Sequence, residues 1–164
     1  MIHYQIITTP LGDLAVVADE HGICQVAFQQ GKAAITITSQ MQPDSASAPA
    51  HLQQAITQLN EYFQGTRQTF ELPLSQPGTP FQQRVWHALT HIKYGKTSSY
   101  AGLAEEINNP RAVRAVGTAN GANKIAIIVP CHRVIGKDKT LTGYAGGMAL
   151  KAKLLMHEGA YFKP

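Results

Sequence analysis

Cys131 is the residue best placed to do chemistry. It follows the apolar run Ile125-Ala126-Ile127-Ile128-Val129 and sits in Pro130-Cys131-His132-Arg133. A β-branched apolar run reads as a buried strand, and proline stops ladder pairing at its end. The thiol is therefore expected where a buried strand meets the surface, flanked by His132 and Arg133. Positive charge beside a thiol lowers its pKa and enriches the nucleophilic thiolate, which points to a reactive role. The alternative is a buried structural cysteine, the commonest state of a free thiol. Adjacent strand residues face opposite ways. His132 can then act as base toward Cys131 only if the backbone turns there or a water bridges the two. Cys24, inside an alternating strand, reads as structural.

The charges suggest what such a thiol would meet. The chain carries a net +4, unevenly spread. Residues 1–79 hold two basic side chains (Lys32, Arg67) against six acidic ones, giving −4, and residues 80–164 hold twelve against four, giving +8. A strongly basic second half fits either a polyanionic partner or a solvated basic face. Within it, a short helix over 100–107 is followed by Asn108-Asn109-Pro110 and a second short helix over 111–120 bearing Arg111 and Arg114. That order resembles a DNA-binding helix-turn-helix.

The remaining elements must hold these residues in place. Residues 4–8, 14–18 and 23–28 read as antiparallel strands joined by turns at Pro10-Leu11-Gly12-Asp13 and Asp19-Glu20-His21-Gly22. Residues 38–50 read as a polar, proline-bearing loop. Leu52, Ile56, Leu59, Tyr62 and Phe63 recur at helical spacing up to Gly65. Residues 70–74 offer one more strand before a proline-rich linker. A helix over 81–91 then buries Val85, Trp86 and Leu89, and Ser98 or Ser99 caps the helix that follows. The expected organisation is a domain with linker over 1–79 and a second domain over 80–164.

Other classes find little support. No apolar run approaches the roughly 18 residues of a membrane span, and Met1-Ile2-His3-Tyr4-Gln5 does not read as the start of a secretory signal. Two cysteines make no disulfide framework, so a reducing, cytoplasmic compartment is expected. Cys24, His3, His21 and His51 lack short ligand spacing, so no metal is expected, and no phosphate-cradling glycine loop points to a nucleotide cofactor.

Pro130-Cys131-His132-Arg133-Val134-Ile135-Gly136 resembles the active-site motif of the O6-alkylguanine-DNA alkyltransferases. The resemblance runs continuously from about Phe81 to Gly159. It takes in residues 94–104, the recognition-helix segment Arg111-Ala112-Val113-Arg114-Ala115-Val116-Gly117, the hinge asparagine Asn123, and the closing segments 141–147 and 154–159. It implies an α/β N-terminal domain, ribonuclease-H-like, with a three-stranded antiparallel sheet. A mainly α C-terminal domain with a helix-turn-helix would carry the whole site.

The resemblance also implies a mechanism. Binding from the minor groove of double-stranded DNA, the chain would insert Arg114 into the stack and hold the space left by an extruded nucleotide. Tyr100 would rotate the adjoining phosphate, and Ala115, Gly117 and Thr118 would allow close approach of the helix. Cys131 would take the alkyl group from O6-alkylguanine, or O4-alkylthymine, irreversibly and once per molecule. His132 would be its base through a water, oriented by Glu158, with Asn123 supporting the turn and Tyr100 donating to the leaving base. Val134, Tyr144, Ala145, Gly146 and Gly147 would border the base pocket. Some members have serine where this chain has Ala145, leaving only a backbone amide to meet the base oxygen. No cofactor is implied, and the protein would act as a monomer. Two other readings compete: a recognition protein for alkylated guanine that performs no transfer, and a cysteine hydrolase using Cys131 and His132.

Overall fold

A computed structural model describes residues 1–31 and 33–164. Lys32, counted above among the basic residues of the first half, lies outside the described residues. The chain forms two compact units, residues 1–77 and 78–164.

The first unit is a sheet with one helix packed on it. Strands β1 (Ile2–Thr9), β2 (Gly12–Ala18) and β3 (Ile23–Phe28) pair antiparallel in sequence order. A fourth strand, β4 (Met41–Pro43), runs parallel to β1, so the sheet order is β3-β2-β1-β4 rather than the expected three antiparallel strands. The added strand lies inside the segment read as a polar loop. It pairs for only three residues and ends on Pro43, as suits a short edge strand whose composition shows no alternation. Helix α1 (Ala50–Gln64) buries Leu52, Ala55, Ile56, Leu59 and Tyr62 and stops at Gly65, whose φ of 82° is left-handed. Of residues 70–74 only Leu74 pairs with a strand, through one bridge to Ile23.

The second unit is mainly helical. Helix α2 (Pro80–Leu89) starts with a capping box between Thr79 and Gln82 and proline at its first position. Its Trp86 indole donates to the Ala119 carbonyl at 2.9 Å, tying α2 to α4 (Val113–Gly121). Between them α3 (Tyr100–Glu106) is capped by the Ser99 hydroxyl, which accepts from Gly102 N. Asn108, at φ 59°, ends α3, and Arg111 belongs to the turn before α4 rather than to the second helix. Proline at 110 together with left-handed Asn108 delays the helix start to Val113.

The run 125–129 departs most from expectation. It is buried but is not a strand. Ile128 N donates to Ala126 O, Val129 N to Ile125 O and Cys131 N to Val129 O, a succession of tight turns. Ile127 sits at φ 70°, a left-handed conformation that costs a β-branched residue free energy. An apolar run of this length cannot distinguish strand from folded core by periodicity alone. Residues Cys131–Arg133 then form one 3-10 turn. After it, Ser98 N donates to Arg133 O and Ile135 N to Ser98 O, which fastens the start of α3 beside the cysteine turn. Helix α5 (Met148–His157) closes the unit, with Leu155 packed on Ile135 and Ala160. No helix among the described residues is long and apolar enough to cross a membrane.

Candidate active site

Asn123 organises the turns that present the thiol. Its Nδ2 donates to Val129 O at 2.9 Å, to Ile125 O at 3.3 Å and to Cys131 Sγ at 3.2 Å, while its Oδ1 accepts from Ile125 N. One amide thus braces two carbonyls that already accept backbone bonds within the turns and also touches the thiol.

The 3-10 turn is the backbone departure that His132 requires. His132 and Glu158 are both buried, and His132 Nε2 lies 2.8 Å from Glu158 Oε2. A carboxylate only accepts, so Nε2 carries the proton, and Nδ1 of the neutral ring keeps the lone pair a base needs. Nδ1 has no hydrogen-bond partner among the described residues. Burial holds His132 below the ordinary imidazole range despite the hydrogen bond and charge of Glu158. Burial would raise the Glu158 carboxyl, but hydrogen bonds and charge from His132 and Arg133 outweigh it and hold it at about 2.

Arg133 plays a different part from the one its position suggested. Its Nε and Nη2 fork onto the two oxygens of Glu158 at 2.8 and 3.1 Å, and Nη1 donates to Ile92 O at 2.6 Å. The guanidinium therefore serves Glu158, with the Tyr94 ring 5.8 Å from its carbon, rather than lowering the thiol directly. The groups that favour the Cys131 thiolate are Asn123 and the charge of Lys151. Burial is the larger effect and pushes the thiol above its ordinary value. Cys131 is thus a sheltered thiol. Cys24 is half-buried and donates weakly to Val17 O; burial, with the charge of Asp19, raises its pKa and leaves it inert.

Lys151 was not legible as a site residue. It is fully buried in α5, and its ammonium donates to Val134 O at 2.6 Å and to Thr142 Oγ1 at 2.9 Å. Burial lowers it to about 8, against the charge of Cys131. The sequence did hold a signal. Residues 151, 154, 155 and 158 share one helical stripe, a spacing that puts Lys151 and Glu158 on the face of Leu154 and Leu155.

Tyr100, at the start of α3, places its hydroxyl 2.8 Å from Thr142 Oγ1. Val134 is buried, while Tyr144, Ala145, Gly146 and Gly147 follow in the segment leading to α5 and keep some or all of their surface in solvent. The Tyr144 hydroxyl is nonetheless deep enough that burial, with the charges of Cys131 and Glu158, raises it well above an ordinary phenol. The two glycines have internal reasons. A Cβ on Gly146 would come within 2.9 Å of both Leu150 and Tyr144, and Gly147 holds φ 97° at the start of α5. Gly117 differs: a Cβ there would only touch the Tyr100 ring at 3.6 Å, so nothing inside the unit demands glycine. Arg114, Ala115 and Thr118 lie exposed beside it on α4, and the Thr118 hydroxyl donates back to Arg114 O.

Comparison with known proteins agrees with this arrangement over the whole chain. Residues 80–160 match the family model described as 6-O-methylguanine DNA methyltransferase, DNA binding domain, and residues 2–76 its ribonuclease-like domain. The constitutive methylated-DNA–protein-cysteine methyltransferase of Bacillus subtilis is 46% identical over 99% of both chains. The corresponding protein of Methanosarcina acetivorans is 44% identical over 97% of this chain and 99% of its own. The crystal structure of Mycobacterium tuberculosis O6-methylguanine methyltransferase superposes with a TM-score of 0.83 at 43% identity, covering 97% of this chain and 93% of that one. The structure of the M. tuberculosis protein in complex with DNA gives 0.84 at 44% identity, over 96% and 92% of the two chains. With both units matched in order and a buried cysteine held by Asn123 beside a His132–Glu158 pair, the chain belongs to the methylated-DNA–protein-cysteine methyltransferase family.

Proposed function

We propose that this protein repairs double-stranded DNA by moving the alkyl group of O6-alkylguanine, or O4-alkylthymine, onto Cys131, irreversibly and once per molecule. The observation that carries the reading is a sheltered cysteine backed by a buried histidine–carboxylate pair, in the unit that matches a DNA-binding domain.

The DNA-binding element is α3, its connecting turn and α4, read as a helix-turn-helix that enters the minor groove. Arg114 enters the stack as the damaged nucleotide swings out, Tyr100 turns the adjoining phosphate, and Ala115, Gly117 and Thr118 let the helix backbone come close. That nothing inside the unit requires Gly117 to be glycine fits a surface made for an outside partner. The extruded base enters beside Val134, Tyr144, Ala145, Gly146 and Gly147, where the Ala145 amide meets its oxygen.

His132 Nδ1 takes the Cys131 proton through a water, and Glu158 stabilises the imidazolium that forms. The thiolate attacks the alkyl carbon in line. The carbon–sulfur bond forms as the carbon–O6 bond breaks, and the electron pair stays with guanine. Tyr100 supplies the proton that this poor leaving group needs. A nucleophilic thiol must stay reduced to act; a cytoplasmic monomer completes the reading.

Stoichiometry tests it. One equivalent of protein should restore one equivalent of guanine in a duplex carrying O6-methylguanine, and longer incubation should restore no more. Multiple turnover would favour a hydrolase, and tight lesion binding without restored guanine would favour a recognition protein.

A further inference from the structure

We propose that Thr142 is a positioning residue that aims the Tyr100 proton at the departing base, with the Lys151 ammonium fixing the direction of the hydrogen-bond chain. The inference rests on Tyr100 acting as the donor to the leaving group.

The direction follows from what each group can do. An ammonium donates and cannot accept. Lys151 is buried in α5 and anchored on Val134 O at 2.6 Å, and it meets Thr142 Oγ1 at 2.9 Å, so Thr142 accepts there. The Thr142 proton then has two acceptors, Val134 O at 3.4 Å or the Tyr100 oxygen at 2.8 Å. Val134 O already holds the Lys151 bond, and the shorter contact is the stronger. Thr142 therefore donates to Tyr100. The Tyr100 oxygen becomes an acceptor, and its own proton is left free for another acceptor, which in this reading is the departing base.

The same chain supplies the proton that leaves. As the carbon–O6 bond breaks, Tyr100 passes its proton to the base and takes the one from Thr142, which takes one from Lys151. Lys151 ends as a neutral amine at the moment the Cys131 thiolate becomes a neutral thioether. Together with the thiol proton held on His132, charge and protons balance. Burial holds Lys151 at about 8, so it is charged at neutral pH yet able to give the proton up.

The test is a double-mutant cycle on the full chain, read as single-turnover transfer from O6-methylguanine in duplex DNA. Thr142→Val should slow transfer about tenfold, the scale of one lost hydrogen bond. Thr142→Ser, which keeps the hydroxyl, should stay within about twofold on the same scale. In a Tyr100→Phe background Thr142→Val should add almost nothing, whereas a structural role would slow both backgrounds alike. Unfolding midpoints and duplex affinities identify intact variants, and Thr142→Ala carries the same test if the valine variant does not fold. Tyr100→Phe slow with Thr142→Val at wild-type speed would overturn the proposal and leave the Tyr100 reading standing. Tyr100→Phe at wild-type speed would overturn both.

Discussion

Replacing Glu158 with glutamine separates the two jobs of the buried carboxylate. The amide keeps an oxygen for His132 Nε2, but its NH2 cannot accept from Arg133 Nε, so what is lost is the negative charge facing the Arg133 fork and one of its bonds, at 2.8 and 3.1 Å. The magnitude comes by two routes. Holding the carboxyl at about 2 against an ordinary 4.5 corresponds to roughly 3 kcal/mol, at about 1.4 kcal/mol per pKa unit. Removing one partner of a buried ion pair costs about 3–5 kcal/mol, because the other charge stays buried without compensation. Glu158→Gln should therefore lose about 3 kcal/mol of unfolding free energy in urea at pH 7. The pH dependence has a definite sign. The folded-state pKa lies below the unfolded one, so the stabilisation is complete above pH 4.5, shrinks as pH falls below that, and is gone near 2. At pH 4 the gap between variant and wild type should be about 1 kcal/mol narrower than at pH 7. A variant within 1 kcal/mol of wild type at pH 7, or a gap indifferent to pH, would refute the account of Glu158 as the charge that balances Arg133.

Three further outcomes follow from the same geometry. Asn123→Ala removes a donor to Cys131 Sγ and to two turn carbonyls, so the thiol should titrate higher and transfer should slow at least tenfold at pH 7, measured by haloacetamide labelling against pH and by single-turnover rate. Gly146→Ala should lower the thermal midpoint because its methyl meets Leu150 and Tyr144, whereas Gly117→Ala should keep the midpoint and weaken duplex binding. Arg114→Ala should slow repair in duplex DNA far more than reaction with free O6-benzylguanine; equal slowing of both would place its role elsewhere.

Local chemistry was readable from the chain where a side chain signals its own environment. The Ser99 cap, the Gly65 stop and the helical stripe of α1 all follow from residue type and spacing. Through the family resemblance the sequence named Asn123, Tyr100 and Glu158 as expected partners of the cysteine motif. What spacing concealed were contacts made across the unit. Arg133 looks like a charge beside the thiol, yet its fork closes on Glu158, distant in sequence. The Ile125–Val129 run has strand composition, but the Asn123 side chain supplies the carbonyl partners a neighbouring strand would have given. Strand β4 escaped notice because a three-residue edge partner leaves no periodic trace. The Thr142–Lys151 contact joins two residues nine positions apart through their side chains, and nothing in the spacing announces it.

The central claim is that Cys131 itself receives the alkyl group. Intact-protein and peptide mass spectrometry after mixing with a duplex carrying a single O6-methylguanine tests it most directly, beside a Cys131→Ala control. The account predicts one added methyl group, located on Cys131, with one guanine restored per protein and no change in the control. Binding of the lesion with no mass change, or a methyl group on any other residue, would contradict it.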